Sequence, residues 1–348
     1  MTDRFGHALV LGKFYPPHAG HLRLVHHAAA TSEHVTLLVL GAASEKIALA
    51  DRVAWLSEAL GDHPHVSLVA RRDDAPVDYE DSNVWDAHMA VFTDAVAASP
   101  FGPIDVVVTG EDYGDELAQR LGVAHERLYR PGLPTGTACR SDLAKHWNDL
   151  IAPARRGLAR RIIVLGVESS GTTTLAHDLA RALGAPFVPE WGRTHAARKL
   201  AELSEHDPAA RIEDVTWSDD DFTLIAATQS ALADEAVLRA PLIVMDTDAL
   251  ATSVWHERYV GGPFAPALAL AAYRPATLYL LTSPAGVPFE DDGLRDGEHV
   301  RVGMHHRFLE LLDAGPVPYV VLEGSPTERL RGALGALAAH APSPFAIG

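Results

Sequence analysis

Short apolar runs alternate with amphipathic stretches along the first half of the chain. Continuous apolar stretches occur at 8–14 (ALVLGKF), 34–41 (HVTLLVLG) and 104–110 (IDVVVTG), each of a length typical of a buried strand. Between them, apolar positions recur with helical spacing from about Gly20 through HLRLVHHAAA, at 51–60 (DRVAWLSEAL) and in DELAQRL. Strands that alternate with helices predict a parallel sheet with crossover helices.

The same alternation restarts in the second half of the chain. A long helix is predicted at 221–239. Buried strands are predicted at IIVLGV, 241–248 (PLIVMDTD), 276–282 (ATLYLLT) and 318–324 (PYVVLEG). The second half is therefore expected to contain an α/β sheet of its own.

A boundary between the two halves is predicted at 148–161 (NDLIAPARRGLARR), which holds a proline and a basic cluster. A chain of 348 residues also favours two domains. The predicted fold class is α/β, with two doubly wound parallel-sheet domains at 1–150 and 158–348. Such sheets bind ligands at the carboxyl ends of their strands.

The composition limits the kinds of partner. The formal charge is −17, which argues against a nonspecific grip on DNA or RNA, because phosphate neutralisation needs a basic surface. The one cysteine, Cys139, excludes an intrachain disulfide and fits a reducing cytosol. No signal-peptide pattern is found, and apolar runs such as VTLLVLGAA are too short to span a bilayer. A cytoplasmic protein without nucleic acid or membrane partners is predicted, and the oligomeric state stays open, a homo-oligomer included.

The segment GKFYPPHAGH directly after the first strand is the first candidate site. Its candidate residues are Gly12, Lys13, Phe14, His18, Gly20 and His21. A glycine and a helix start favour a bound phosphate, and two histidines three residues apart can point at the same group. With no nucleophile arranged nearby, the protein would align phosphates and stabilise charge while the substrate supplies the nucleophile. Since the chain has 19 histidines, two surface histidines beside a proline turn are the alternative.

The segment GVESSGTTTL after IIVLG is the second candidate site. It matches the phosphate-binding pattern G-x-x-x-x-G-K-[ST], except that Thr172 stands where lysine is expected. In such a loop backbone N–H groups hold the phosphates, and the hydroxyl of Thr173 would bind Mg²⁺. The candidate nucleotide-binding residues are Gly166, Glu168, Ser169, Ser170, Gly171, Thr172, Thr173 and Thr174. Asp246, at the end of a strand, is the candidate carboxylate for the same Mg²⁺, and a plain strand-end turn is the alternative.

Two further segments suit a kinase. Residues 288–308 are rich in Gly, Asp and Arg, as in a mobile lid whose arginines, Arg295 among them, close on phosphates. A solvated loop is the alternative, notably for Arg301 and Arg307. In VPEWGRTH, Glu190 and Arg193 follow a strand and are expected on the acceptor side.

The first segment resembles the signature of the HxGH nucleotidyltransferase superfamily, and PTGTACRSDL resembles its T-x-x-R motif. The resemblance implies that Thr137, Arg140 and Ser141 bind ATP phosphates. Taken in order, GKFYPPHAGH, GTACR, GVESSGTTTL, PEWGR, MDTD and DDGLR resemble the NadR family. The family implies a nicotinamide-mononucleotide adenylyltransferase domain followed by a ribosylnicotinamide kinase domain. ATP would be the co-substrate, Mg²⁺ the cofactor, and His18, His21, Arg140, Asp246 and Glu190 the catalytic residues.

Several points separate this chain from the family pattern or stay open. Because Thr172 replaces the lysine, an alternative stays open: an adenylyltransferase with a degenerate kinase-like domain that only senses nucleotide. A third hypothesis is a non-enzymatic, nucleotide-binding regulator. The first strand begins so early that a DNA-binding repressor domain ahead of it is not expected. Trp85 resembles the family's aromatic region near the nicotinamide, or packs in the core. Arg52 could reach a phosphate or lie on an exposed helix face.

Overall fold

The computed structural model describes residues 4–61, 63–76, 78, 80–129 and 132–340. The chain forms two compact units, and the division falls between Gly157 and Leu158. Each unit has a five-stranded sheet, and every pair of neighbouring strands is parallel. The predicted α/β fold with two parallel-sheet domains is confirmed.

The first unit has strand order β3-β2-β1-β4-β5. Its elements are β1 (Phe5–Gly12), α1 (Ala19–Thr31), β2 (Ser32–Gly41), α2 (Leu49–Leu60), β3 (Val66–Arg72), α3 (Ser82–Ala97), β4 (Val106–Thr109), α4 (Gly114–Leu121), β5 (Ala124–Arg127), α5 (Gly136–Ser141) and α6 (Ala152–Leu158). The central strands are apolar at nearly every position because helices cover both faces of the sheet. β1 leaves the sheet at its centre, so Gly12 opens the segment GKFYPPHAGH at the point where strand order reverses.

Helix α6 occupies the segment that the sequence suggested as the boundary between domains. Pro153 is its second residue, a position where a helix tolerates proline because no intrahelical N–H bond is lost. Arg156 pairs with Glu58 of α2 at 2.7 Å, and a Cβ on Gly157 would lie 2.3 Å from the ring of Trp55. The helix therefore packs against the first unit.

The second unit has strand order β10-β9-β6-β8-β7. Its elements are β6 (Arg160–Gly166), α7 (Thr172–Leu183), β7 (Phe187–Val188), α8 (Trp191–Ser204), α9 (Asp219–Ala236), β8 (Leu242–Asp246), α10 (Ala249–Tyr259), α11 (Ala265–Tyr273), β9 (Leu278–Thr282), α12 (Arg301–Ala314), β10 (Tyr319–Leu322) and α13 (Pro326–His340). β6 is the central strand, and the loop from Gly166 to α7 leaves from its carboxyl end.

The core of the second unit forms where α7 and α13 pack on the sheet. Leu175 and Leu179 of α7 contact the β-strand residues Val164 and Val244, with Ala333 of α13 in the same buried cluster. This packing fixes the start of α7 over the end of β6. No helix in the described part of the chain is both long and apolar enough to cross a membrane.

Candidate active sites

The segment after β1 is held in place by a buried arginine. Arg52 of α2, 1 % exposed, donates to the main-chain oxygens of Lys13 at 2.7 Å and Leu40 at 3.0 Å. It also pairs with Glu45 at 2.8 Å, and Lys13 Nζ lies 3.2 Å from the other oxygen of that carboxylate. Arg52 therefore supports the loop, and the structure does not place it on an exposed helix face.

Phe14 has a backbone conformation that needs this support. Its φ is 47°, in the left-handed region that costs a bulky residue about 1–3 kcal/mol. The ring is buried and packs 4.8 Å, centroid to centroid, from the ring of His21. Burial of the ring and the hydrogen bond from Arg52 to the main-chain oxygen of Lys13 offset this cost, so the turn into α1 has a defined shape.

His18 and His21 meet at the start of α1. His18 is the N-cap residue, and its main-chain N–H donates to His21 Nδ1 at 3.2 Å. The two rings stack with centroids 3.6 Å apart, and His18 is buried. Because the N-terminus of a helix carries partial positive charge, this pair of imidazoles lies where an anion is favoured.

Arg140 joins the T-x-x-R segment to the first loop. Thr135 caps the short helix α5 by accepting from Ala138 N at 3.1 Å. Arg140 donates to the main-chain oxygen of Tyr15 and to Thr137 Oγ1 at 3.1 Å, and its guanidinium lies 4.9 Å from the centroid of the Tyr15 ring. The structure thus brings GTACR against GKFYPPHAGH, 125 residues apart between Arg140 and Tyr15.

Three other residues singled out in the first half have local partners. The Ser141 hydroxyl donates to the main-chain oxygen of Ala138 at 2.9 Å, within α5. Trp85 is 4 % exposed and packs in the apolar core under the sheet, which favours the packing interpretation over a nicotinamide contact. Cys139 is fully buried, and burial followed by the charge of Asp149 raises the pKa of its thiol to about 11, so it fills space and is no nucleophile.

The loop after β6 has the shape of a phosphate cradle. A Cβ on Gly166 would lie 2.2 Å from Thr282 Oγ1 and 2.4 Å from Ser170 Oγ, so glycine is required there. Gly171 has φ 83°, a conformation that favours glycine. The buried Ser170 hydroxyl contacts the main-chain oxygen of Val167 at 2.6 Å and Thr282 Oγ1 at 2.7 Å. These contacts set the loop conformation without any contribution from a lysine.

Thr173 and Asp246 lie together at the end of this loop. Thr173 Oγ1 donates to Asp246 Oδ2 at 2.6 Å, and the Thr172 side chain also hydrogen-bonds to Asp246. In the described part of the chain no three His, Cys, Asp or Glu side chains form a metal-binding group. Mg²⁺ in nucleotide sites takes one or two protein oxygens and completes its shell with phosphates and water, so a hydroxyl beside one carboxylate fits it. Thr174, the next residue of α7, is exposed, as Thr173 is.

Carboxyl groups converge on the same place. Burial, and next the negative charge of Asp246, raise the pKa of Glu190 to about 8. Burial also raises the pKa of Asp246, against the hydrogen bonds from the two threonines, and that of Glu168, against the charge of Arg258. Closely spaced, desolvated carboxyl groups favour a bound cation.

The second acid of MDTD has a structural role. Asp248 accepts from the main-chain N–H groups of Leu250 and Ala251 and so caps α10. It also accepts from Tyr279 Oη at 2.8 Å, and burial raises the pKa of its carboxyl to about 6.

Residues 288–300, the first part of the lid predicted at 288–308, rest on the phosphate loop, whereas the remainder from Arg301 belongs to α12. Arg295 Nη1 donates to Ser169 Oγ at 3.1 Å and to the main-chain oxygen of Glu290 at 2.8 Å. The main-chain N–H of Gly297 donates to Glu168 Oε2 at 2.7 Å. These contacts place Arg295 beside the loop, as expected for a residue that meets phosphates.

The lid carries acids as well as arginines. Asp292 forms an ion pair with Arg193 and lies 3.5 Å from Arg295. Arg307 is directed elsewhere, to Glu257 at 2.7 Å, whereas Arg301 is buried and donates to the main-chain oxygen of Ser169 at 3.2 Å. Arg193 and Arg295 are thus held by the carboxylate of Asp292, and phosphate oxygens of a bound nucleotide could take the place of this carboxylate.

A cavity of about 130 Å³ extends from the phosphate loop into an aromatic region. Its polar end includes Thr172, Thr173, Glu190, Arg193, Asp246 and Arg295. Its other end is lined by Trp217, Phe222, Trp255 and Tyr259. An apolar, aromatic pocket beside a phosphate site suits an acceptor with a flat ring and a hydroxyl group.

The sequence did not identify four of the residues that shape this site. Trp217 and Trp255 lie in segments rich in aromatic residues, but aromatic residues at helical spacing predict a core equally well. Arg301 was weighed as a lid arginine or a residue of a solvated loop, whereas it is the first residue of α12. Arg329, on the last helix, donates to the main-chain oxygen of Ser170. No local pattern distinguishes Arg329 from Arg331, the other arginine of its helix.

Comparison with known proteins finds relatives of each unit and of the two units in this order. A family model described as "AAA domain" matches residues 161–329. The trifunctional NAD biosynthesis/regulator protein NadR of Escherichia coli is 24% identical over 338 residues, covering 90% of this chain and 78% of that protein. A nicotinamide-nucleotide adenylyltransferase of Aeropyrum pernix is 28% identical over 169 residues, covering 44% of this chain and 90% of that protein. A crystal structure of NadR protein in complex with NR is 21% identical, covers 98% of this chain and 97% of its own, and superposes with a TM-score of 0.59, which supports the fold.

Proposed function

Because the chain belongs to the NadR family, we propose that it is a two-site enzyme of NAD biosynthesis. The first unit transfers the adenylyl group of ATP to nicotinamide mononucleotide, giving NAD and pyrophosphate. The second unit phosphorylates nicotinamide riboside with ATP, giving ADP and nicotinamide mononucleotide. The observation that supports the proposal most is the presence of two phosphate-binding turns, each at the carboxyl end of the central strand of its sheet.

In the first site the protein aligns phosphates and stabilises charge. A phosphate oxygen of nicotinamide mononucleotide attacks the α-phosphorus of ATP, and pyrophosphate leaves. His18 and His21 at the start of α1, with Arg140 beside Tyr15, are placed to bind the phosphates. Donors that are fixed before the reaction stabilise the charge that develops on the transferred group.

In the second site the acceptor hydroxyl attacks the γ-phosphorus of ATP and ADP leaves. Glu190, at the start of α8 and beside Asp246, is placed to take the hydroxyl proton. Thr173 and Asp246 would hold Mg²⁺, which supplies positive charge to the β- and γ-phosphates when bound. Arg193 and Arg295 exchange Asp292 for phosphate oxygens, and the aromatic end of the cavity holds the nicotinamide ring.

A degenerate second domain is not favoured. A domain that has lost phosphoryl transfer would be expected to lose several of its parts independently. Here Thr173, Asp246, Glu190 and Arg295 all line one cavity, so Thr172 stands alone as a departure.

The proposal is tested by following the two products separately. With ATP, Mg²⁺ and nicotinamide mononucleotide, the full chain should release pyrophosphate and form NAD. With ATP, Mg²⁺ and nicotinamide riboside it should form ADP, a product that only the second site makes. Pyrophosphate without any ADP would restore the single-activity alternative, and neither product would reject the proposal.

Glu190→Gln should lower the turnover number for ADP formation by about a hundredfold, because glutamine cannot accept the hydroxyl proton. The KM for ATP should change little, since Glu190 is proposed to act on the acceptor hydroxyl and not to bind ATP. Steady-state kinetics of ADP formation measures both quantities. Glu202→Gln, an exposed change on the same helix, is the matched control. Equal turnover in Glu190→Gln and the control would remove Glu190 from the reaction.

A further inference from the structure

Two buried arginines from the C-terminal part of the second unit bind the outside of the phosphate loop. Arg329 of α13 donates through Nη1 to the main-chain oxygen of Ser170, through Nη2 to that of Ser283 at 2.9 Å and through Nε to that of Gly324 at 2.9 Å. Arg301, the first residue of α12, donates to the main-chain oxygens of Ser169 at 3.2 Å and Val287 at 3.1 Å. Both side chains are buried, at 4 % and 9 % exposure.

Arg329 lies directly behind the glycine that precedes Thr172. A Cβ placed on Gly171 would be 3.3 Å from Arg329 Nη1. Across a trans peptide bond the C=O and the following N–H point in opposite directions. Because Ser170 C=O points at Arg329, the N–H of Gly171 points away from it, toward the concave side of the loop. The guanidinium therefore fixes the orientation that an anion-binding loop needs.

The charge of Arg329 is not cancelled at close range. The carboxylate whose charge acts on it is that of Glu323, and within the described residues Arg329 forms no ion pair. Its hydrogen bonds all go to neutral main-chain oxygens. A guanidinium stays protonated even when buried, so the loop has a fixed positive charge behind it.

We propose that Arg329 is a positioning residue that does for this loop what the missing lysine does in others. It holds the N–H groups of the loop toward the phosphates, and it adds positive charge from behind the loop. Arg301 supports the neighbouring peptide in the same way. The inference rests on the proposed kinase function of the second unit.

The position of Arg329 behind the phosphate loop explains how the loop can function with threonine at position 172. A lysine there would offset phosphate charge from the front of the loop and donate directly. With Arg329 behind the loop the electrostatic contribution persists at a longer distance, and the hydrogen-bonded shape of the loop does not depend on residue 172. A lysine at 172 would add a second positive charge beside Asp246, the carboxylate proposed to hold Mg²⁺.

The test compares three changes in the full chain by the KM for ATP in ADP formation with nicotinamide riboside. Arg329→Met removes charge and hydrogen bonds and should raise this KM about tenfold or more. Arg329→Lys keeps the charge but loses the planar set of donors, and should raise it about threefold. Arg331→Met, an exposed change on the same helix, should leave it unchanged. Pyrophosphate release from nicotinamide mononucleotide, in the first unit, is the internal control and should not change.

Introducing a lysine by Thr172→Lys tests whether Arg329 contributes charge. If Arg329 only stabilised the fold, this change would have the same effect on the KM for ATP with and without Arg329. In the natural protein Thr172→Lys should leave the KM for ATP flat or raise it. In the Arg329→Met background the same change should lower the KM several-fold, because only then is a charge missing. If Arg329→Met does not fold, as judged by thermal melting, Arg329→Gln replaces it in the same comparison.

Three results would overturn the inference. One is an Arg329→Met protein with the same KM for ATP as the natural chain. Another is an equal rise of this KM in Arg329→Met and Arg329→Lys. The third is an identical effect of Thr172→Lys in both backgrounds. A natural protein that makes no ADP at all would instead reject the proposed function, and the inference with it.

Discussion

Asp246→Asn should lower the rate of ADP formation from nicotinamide riboside by about a thousandfold, because the Mg²⁺ proposed to bind at this carboxylate would supply several kcal/mol of charge stabilisation. Thr173 Oγ1 contacts Asp246 Oδ2 at 2.6 Å, so both oxygens would be near the same bound cation. Asparagine keeps the shape and one oxygen acceptor but has no negative charge to hold Mg²⁺. The rate is measured at saturating ATP over a range of Mg²⁺ concentrations, and the variant should require far more Mg²⁺.

The control for this change is Asp220→Asn, at an exposed position of α9. It removes one acid of the same type and should leave the rate and the Mg²⁺ requirement unchanged. Pyrophosphate release by the first unit should be normal in both variants, which shows that each protein is folded and supplied with ATP. An Asp246→Asn protein with an ordinary Mg²⁺ requirement would mean that the metal lies elsewhere.

His21→Ala should lower NAD formation from nicotinamide mononucleotide by about a hundredfold or more, because a donor to the developing charge is lost. His21 also accepts the main-chain N–H of His18, so alanine removes a helix cap worth about 1 kcal/mol. His21→Asn separates the two effects, since its side-chain oxygen can accept that N–H while the imidazole is gone. Pyrophosphate release measures the rate of NAD formation, and thermal melting measures the stability that the helix cap contributes.

The matched control is His26→Ala, an exposed position further along α1. It should keep a normal rate of NAD formation. His21→Asn should melt close to the natural protein and still be slow. A fast His21→Asn enzyme would show that His21 acts as a cap alone, and the charge stabilisation would then belong to His18 and Arg140.

Most strands followed from the apolar pattern because that pattern is local, and so did the helices α1, α2, α4 and α9, whereas β3 was not predicted. The strand expected at 34–41 is Ser32–Gly41, and the helix expected at 221–239 is Asp219–Ala236. This helix begins two residues earlier because the Ser218 hydroxyl accepts from Asp221 N, a cap that periodicity does not report. β5 was not predicted, since its residues AHER lie at the sheet edge and lack an apolar run. Pro153 suggested a linker where the chain forms α6.

The sequence by itself determined the α/β class of both units, the two glycine-containing turns and the residue types expected at a phosphate site, because glycines, caps and apolar spacing act over a few residues. The tertiary structure decided the rest. Arg329 and Ser170 are separated by 159 residues, Thr173 and Asp246 by 73, and Arg140 and Tyr15 by 125. Such pairs depend on which strand ends the fold brings to one edge of a sheet. For the same reason the charge behind the phosphate loop could not be seen from Thr172 and its neighbours alone.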